Sequence, residues 1–222
     1  MNVEKRIRAV AKGLDKTGVN YCFIGGASCG FYIEDPNASK VRPREDIDCI
    51  VETNCDREFE KLLKQITSLG FERRNTSGSQ NSWDYNGIKV DIVPVFQDEN
   101  RWYRKGMRHA KEKTMGDVTI KYFPLSYFLA SKLEALTSRG NDNLYSSRDF
   151  EDIVIVLDGL KDLSVILKFP ADVLRFLRSE FKTISHREDF YDALIGHIDV
   201  SPIREKRAMR IMDFLNNQLV NQ

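Results

Sequence analysis

The sequence of 222 residues predicts an α+β fold: a sheet-bearing part over residues 1–123, followed by an all-helical part over residues 124–222. Three observations carry this expectation. Up to Tyr122, short apolar runs are separated by glycine and asparagine turn signals. From Pro124 onward the apolar residues recur at helical spacing, beginning with Leu125, Phe128, Leu129, Leu133 and Leu136. Apolar residues make up 41% and charged residues 30%, an ordinary balance for a globular chain long enough to bury a core.

The elements follow in order. Val3, Ile7, Val10 and Leu14 share one helical face, and Gly18 is a natural stop. Tyr21-Cys22-Phe23-Ile24 reads as a strand that ends in Gly25-Gly26-Ala27-Ser28. A polar connection with Pro36 and Pro43 leads to a second strand over residues 45–51. Asp56 is placed to cap a helix with Phe59, Leu62, Leu63, Ile66 and Leu69 inward, stopped by Gly70. Residues 71–95 read as a meander, with a loop at Asn75-Thr76-Ser77-Gly78-Ser79 and a hairpin turn at Asn86-Gly87. Trp83 and Tyr85 fit cross-strand packing there. Val118–Tyr122 reads as the last strand of this part. Ser147 is placed to cap a later helix, and Pro170 and Pro202 suit the first turns of two more.

The chemistry concentrates in two of these strands. In an extended run alternate side chains share a face, so Asp46 and Asp48 point one way while Ile47, Cys49 and Val51 point the other. In Ile88–Val93, Val90 and Ile92 turn inward and leave Asp91 outside. If the two strands lie side by side, three carboxylates meet on one surface. At about 4 Å each pair repels by roughly 4 kcal/mol at an effective dielectric of 20. Such a group calls for a cation, and hard oxygen ligands suit Mg²⁺ or Mn²⁺. Gly25 and Gly26 allow a sharp turn with open backbone N–H groups, and a helix starting there would face them and the Ser28 hydroxyl toward an anion. A phosphate cradle beside a divalent-metal triad equips a site for phosphoryl or nucleotidyl transfer.

Composition narrows the alternatives. Cys22, Cys29, Cys49 and Cys55 form no C-x-x-C pair, which argues against zinc. No apolar stretch is long enough to span a bilayer and the N-terminus lacks the apolar core of a signal peptide, so a cytoplasmic location and no membrane partner are expected. His109, His186 and His197 are scattered and assemble no nucleophilic triad. The net charge of +1 announces no polyanion, but Arg101, Arg104, Lys105, Arg108, Lys111 and Lys113 crowd a stretch that also carries Trp102 and Tyr103. Basic residues interleaved with aromatics could hold an RNA strand; a solvated mixed-charge surface is the plainer alternative.

Gly25-Gly26, then Asp46-x-Asp48, then Asp91, each in strand context, resembles the polymerase-β-type nucleotidyltransferase superfamily across Tyr21 to Val95. That resemblance implies a mixed, largely antiparallel sheet flanked by helices, Mg²⁺ or Mn²⁺ as cofactor and an NTP as substrate. A second stretch, Ser131–Arg139 with Arg148-Asp149-Phe150-Glu151-Asp152, is similar to the signature of AbiEii-type abortive-infection toxins of type IV toxin-antitoxin systems. Arg42-Pro43-Arg44-Glu45-Asp46 resembles their lead-in as well. Arg44 departs from the family's threonine, and Arg148 from its lysine. Lys132 and Arg139 lie seven residues apart on one helix face, from where they could reach a triphosphate. Asp149 and Asp152 could orient them or contact the base; the other reading of these groups is an interhelical salt-bridge cluster.

The expected function is therefore metal-dependent transfer of an NMP from an NTP to an acceptor hydroxyl, with release of pyrophosphate. Asp46, Asp48 and Asp91 would be catalytic and metal-binding. Gly25, Gly26, Ser28, Lys132, Arg139, Asp149 and Asp152 would be nucleotide-binding. The toxin resemblance implies tRNA or a protein as acceptor and a cognate antitoxin. The alternatives are transfer to a small, aminoglycoside-like molecule, or a non-catalytic nucleotide-binding module.

Overall fold

The computed structural model describes residues 2–74, 81–96, 101–138 and 143–220. The loop expected at Asn75–Ser79 and the expected site residue Arg139 lie outside the described residues. The chain divides into two compact units, Met1–Ser28 with Pro43–Pro124, and Cys29–Arg42 with Leu125–Gln222.

The first unit is built on one sheet. Its described strands are β1 (Tyr21–Ile24), β2 (Asp46–Glu52), β3 (Phe71–Arg73), β4 (Ser82–Tyr85), β5 (Ile88–Val95), β6 (Lys111–Met115) and β7 (Val118–Tyr122), in the spatial order β3-β4-β5-β2-β1-β7-β6. Four neighbouring pairs are antiparallel; β2 with β5 and β1 with β7 are parallel. The mixed, largely antiparallel α+β plan is thus observed. β1 sits between β2 and β7 and is buried along its length.

Three helices accompany the sheet. In α1 (Val3–Asp15), Asn2 caps the start by accepting from Lys5 N at 2.9 Å, and Ile7, Val10, Ala11 and Leu14 are buried. Gly13 presents no side chain to the Phe71 and Tyr85 rings; a Cβ there would meet both at 2.9 Å. Those rings stack across β3 and β4 at 4.0 Å, which places Tyr85 in cross-strand packing. In α2 (Asp56–Ser68), Phe59, Leu62 and Ile66 are buried. The capping position expected of Asp56 falls instead to Cys55, which makes no side-chain cap bond; Asp56 is already helical, where its charge opposes the positive helix end.

Asn86 (φ 54°) and Gly87 (φ 75°) make the hairpin turn between β4 and β5 in the doubly left-handed form that such sequences favour. Pro94 lies past the last β4–β5 pair, where its missing N–H breaks no described ladder bond. The basic stretch after residue 100 resolves into α3 (Arg101–Arg108) and β6. β6 was not expected, because Lys111-Glu112-Lys113-Thr114-Met115 lacks an apolar alternation. It is an edge strand, and charged side chains are what such edges carry.

The second unit is helical: α4 (Leu125–Ser138), α5 (Arg148–Gly159), α6 (Ala171–Ser185), α7 (Phe190–Gly196) and α8 (Arg204–Phe214), with α8 continuing into a π-helical stretch over Leu215–Val220. Ser147 caps α5 as expected, accepting from Phe150 N at 3.2 Å. Pro170 immediately precedes α6, whereas Pro202 falls in a turn before Ile203, the residue that flanks α8. Among the described residues no helix is long and apolar enough to cross a membrane.

α5 is buried from Asp149 to Gly159, so its polar side chains must find partners. Asp158 is fully buried; its carboxylate accepts from Arg207 Nε at 2.6 Å and from Ser39 N at 2.8 Å. Arg207 also reaches Asp35 at 2.8 Å. Gly159 O accepts from Glu34 N and Asp35 N, and the Ile33 side chain packs where a Gly159 Cβ would sit. Residues 33–39 are thereby tied to the ends of α5 and α8. Arg207→Met removes the cation beside a buried carboxylate and is expected to lower the unfolding free energy of this unit by about 3–5 kcal/mol. A denaturant titration followed by circular dichroism checks it, and a loss below about 1 kcal/mol would mean that the pair is dispensable.

Candidate active site

β2 and β5 run parallel with Asp48 opposite Asp91 and Asp46 opposite Lys89. The inward positions Ile47, Cys49, Val90 and Ile92 are buried, and Asp46, Asp48 and Asp91 are half-buried on the other face. Each of the three aspartates offers a carboxylate oxygen, and these oxygens lie within 4.8 Å of one another. The convergence expected from the strand alternation is present.

The adjacent strand positions the group from the other side. β1 pairs antiparallel with β2, placing Ile24 opposite Asp48, and the chain turns at Gly25 with φ 73°. A Cβ on Gly25 would fall 1.9 Å from Asp48 Oδ2. Gly25 is therefore required twice, for its left-handed backbone and for the space the carboxylate occupies. Gly26 opens a 3₁₀ helix over Gly26–Phe31. Ser28 is fully buried within it, and both its N–H (3.1 Å) and its hydroxyl (2.8 Å) donate to Gly25 O. Both Ser28 donors thus close the turn on Gly25.

Three supporting residues were not singled out in the sequence. Ser82, opposite Asp91 on β4, donates its hydroxyl to Asp91 Oδ1. The signal was available, since counting back from the Asn86-Gly87 turn pairs residue 82 with residue 91. Lys89 lies on the acidic face and bonds to Glu45. Arg6, from α1, donates to the carbonyls of Arg44 and Glu45 and so holds the backbone that leads into β2. Nothing in the spacing of residues 3–17 marks Arg6 out from its basic neighbours.

Electrostatics reflects the crowding. Burial pushes the Cys49 thiol well above its ordinary range, and the negative charges of Asp48 and Asp91 add to that rise. Cys22, Cys29, Cys49 and Cys55 are all free thiols, and the described residues hold no cysteine or histidine in a metal-type group. The donor set suits a hard cation. Oxygens bound to one octahedral ion at about 2.1 Å lie roughly 3–4 Å apart, within the reach of this triad.

The expected site residues of the helical unit form a group of their own. Lys132 Nζ on α4 lies 2.9 Å from Asp149 Oδ1 and 2.7 Å from Asp152 Oδ2 on α5. Burial alone would lower the Lys132 pKa, but the charges of Asp152 and Asp149 and their hydrogen bonds outweigh it and raise the value. Two carboxyl groups share the one ammonium, which is the geometry of an interhelical cluster.

The two aromatic residues of the basic stretch differ in exposure, Trp102 buried and Tyr103 half-buried. Trp102 is fully buried, with Arg101 4.2 Å from its ring, and Tyr103 packs edge-on to Phe123 at 6.0 Å. The Trp102 ring serves the core of the first unit. His197 Nε2 lies 2.9 Å from Leu144 O, and His186 Nδ1 lies close to Lys182 O.

No protein-family model matches the chain, and neither does any curated protein. Among solved structures, an antigenic nucleotidyltransferase-like protein from Paracoccidioides brasiliensis is similar at 19% identity with a TM-score of 0.50, over 90% of this chain and 95% of that one. The antibiotic-resistance factor ANT(2'')-Ia is similar at 12% identity with a TM-score of 0.51, over 81% of this chain and 91% of its own. At these identities the likeness is one of fold, and the fold is nucleotidyltransferase-like. Gly25→Ala tests how that fold shapes the site: it is expected to cost about 1–2 kcal/mol of stability and to weaken Mn²⁺ binding about 10–100-fold by displacing Asp48. Calorimetric Mn²⁺ titration of both proteins measures this, and equal affinities would show that the glycine does not set the carboxylate's position.

Proposed function

We propose that the chain is a metal-dependent nucleotidyltransferase that moves an NMP from an NTP to an acceptor hydroxyl and releases pyrophosphate. The observation that carries this reading is the convergence of Asp46, Asp48 and Asp91 within 4.8 Å beside the Gly25 turn. A binding module has little need for three mutually repelling carboxylates held on a rigid sheet.

Asp46 and Asp48 would hold the cations, Mg²⁺ or Mn²⁺, together with Asp91. A divalent cation bound there neutralises phosphate charge and stabilises the attacking and leaving oxygens of an in-line displacement. Asp91, fixed by the Ser82 hydroxyl, is the carboxylate assigned to receive the acceptor proton. The backbone at Gly25 and Gly26 would line the triphosphate, with Ser28 keeping that turn closed. Lys89 and Glu45 pair on the same face as Asp46 and keep the lysine's charge beside the site. This reading draws on the first unit alone; Lys132, Asp149 and Asp152 enter it only as the brace between α4 and α5.

For the acceptor, the AbiEii-type resemblance supports a toxin-like enzyme that acts in the cytoplasm on tRNA or a protein and is held in check by an antitoxin. Burial of Trp102 removes one support for an RNA strand; the second reading is transfer to a small, aminoglycoside-like acceptor. Incubation with each α-labelled NTP, Mg²⁺ or Mn²⁺, and either total RNA, cell lysate or an aminoglycoside separates these, because the labelled species names the acceptor class.

Asp46→Asn and Asp48→Asn are each expected to reduce label transfer by about 10³-fold or more. Their thermal midpoints should hold or rise, since each removes a like-charge repulsion. Full transfer activity in either variant would overturn the metal assignment, as would unchanged activity of the parent protein in excess EDTA.

A further inference from the structure

At the far end of β2 from Asp46 and Asp48, the first unit contains a cavity of about 70 Å³. Its lining includes Glu52, Thr53, Asn54, Val95, Arg104 and Arg108. Thr53 is only 5% exposed, and its Oγ1 has no hydrogen-bond partner. A buried hydroxyl left unpaired costs about 1–3 kcal/mol, so its presence beside a cavity points to a ligand. Arg104 is half-buried and Arg108 exposed, and among the described residues neither makes an ion pair.

The other polar groups of the lining are committed. Glu52 Oε2 accepts from Asn20 Nδ2 at 2.7 Å. Asn54 donates through both its backbone N and its Nδ2 to Glu58 Oε2, at 2.8 and 2.9 Å. What remains on offer is two guanidinium groups and one hydroxyl, with two positive charges against the single charge of Glu52. Arg104 and Arg108 stand one turn apart on α3, where like charges repel unless an anion lies between them.

We propose that this cavity is a site for a phosphate-type oxyanion, held by Arg104 and Arg108 and by a hydrogen bond donated from Thr53 Oγ1. One water needs only about 10–15 Å³ of such cavity volume, so the cavity admits one tetrahedral oxyanion in place of several waters. A planar carboxylate would be satisfied by one guanidinium fork; donors arriving from α3 and from the end of β2 suit a tetrahedral group. Thr53 is five residues beyond Asp48, about 16 Å along an extended chain, so the site is separate from the triad and independent of the transfer reaction proposed above.

Titration of ¹⁵N-labelled protein with sodium phosphate at constant ionic strength tests this, read at the Thr53 amide and the Arg104 and Arg108 Nε signals. Saturable shifts at these positions are expected. In Arg104→Gln/Arg108→Gln the apparent affinity should fall about tenfold or more, and in Thr53→Val several-fold, about what one or two charge-assisted or neutral hydrogen bonds contribute. Thermal unfolding of each variant verifies that it is folded. Glycerol 2-phosphate in a parallel titration separates the sources: binding assigns the site to phosphate esters, and binding of phosphate alone assigns it to the free ion. Either result upholds the site. Linear, non-saturating shifts, equal shifts with sodium chloride, or wild-type affinity in the double arginine variant would overturn it.

Discussion

The parallel pairing of β2 with β5 is the constraint on which the candidate active site depends. Side chains alternate with a period of two, so a slip of one residue would turn Asp91 into the core and Val90 onto the acidic face. The inward row of Ile47, Cys49, Val90 and Ile92 forbids that slip, because each is buried and together they would exchange places with charged groups. The same apolar row that stabilises the sheet therefore sets the position of the carboxylates.

That arrangement opposes itself electrostatically. Three carboxylates within 4.8 Å repel, and the sheet must hold them against it. The restraints are local and inexpensive in side-chain entropy: Ser82 bonds to Asp91, Asp48 sits against a glycine that leaves it room, and Arg6 fixes the carbonyls that lead into β2. None of these supplies a full compensating positive charge to all three acids. A divalent cation would, and that need is what supports the proposed metal site.

Much of this was legible because strand alternation and glycine chemistry are local rules. Asp46, Asp48 and Asp91 follow from a period of two, the β4–β5 hairpin from Asn86-Gly87, and the Ser147 cap from one residue before an apolar helix. What escaped was set by tertiary context. β6 carries no apolar alternation because an edge strand needs none, and Arg6 is indistinguishable from its neighbours until α1 lies beside the start of β2. The interleaving of Trp102 with arginines left a stacking surface and a solvated mixed-charge surface both open; a helix that buries one side places the Trp102 ring inward and its charges outward. The stretch between Gly30 and Arg44 reads as a polar connection, and nothing in its composition tells that Ser39 and Asp35 meet Asp158 and Arg207, more than a hundred residues later.

That last pairing bears on the chain segment between β1 and β2. The first unit's two sequence segments are Met1–Ser28 and Pro43–Pro124, so β1 with its glycine turn and β2 with its first two aspartates come from opposite sides of a fourteen-residue excursion into the other unit. Closing such a loop costs only slowly more entropy as it lengthens, but a loop whose own residues are pinned loses that cost once, when its anchors form. Asp158 and Arg207 are such anchors: a buried carboxylate that binds Ser39 N and a guanidinium that binds both Asp158 and Asp35. A buried ion pair is weak support for stability when compared with an apolar replacement, but it specifies one partner geometry and penalises others. Its value here is in that selectivity, because residues 34–40 are mostly polar or charged and offer no apolar row to set their position.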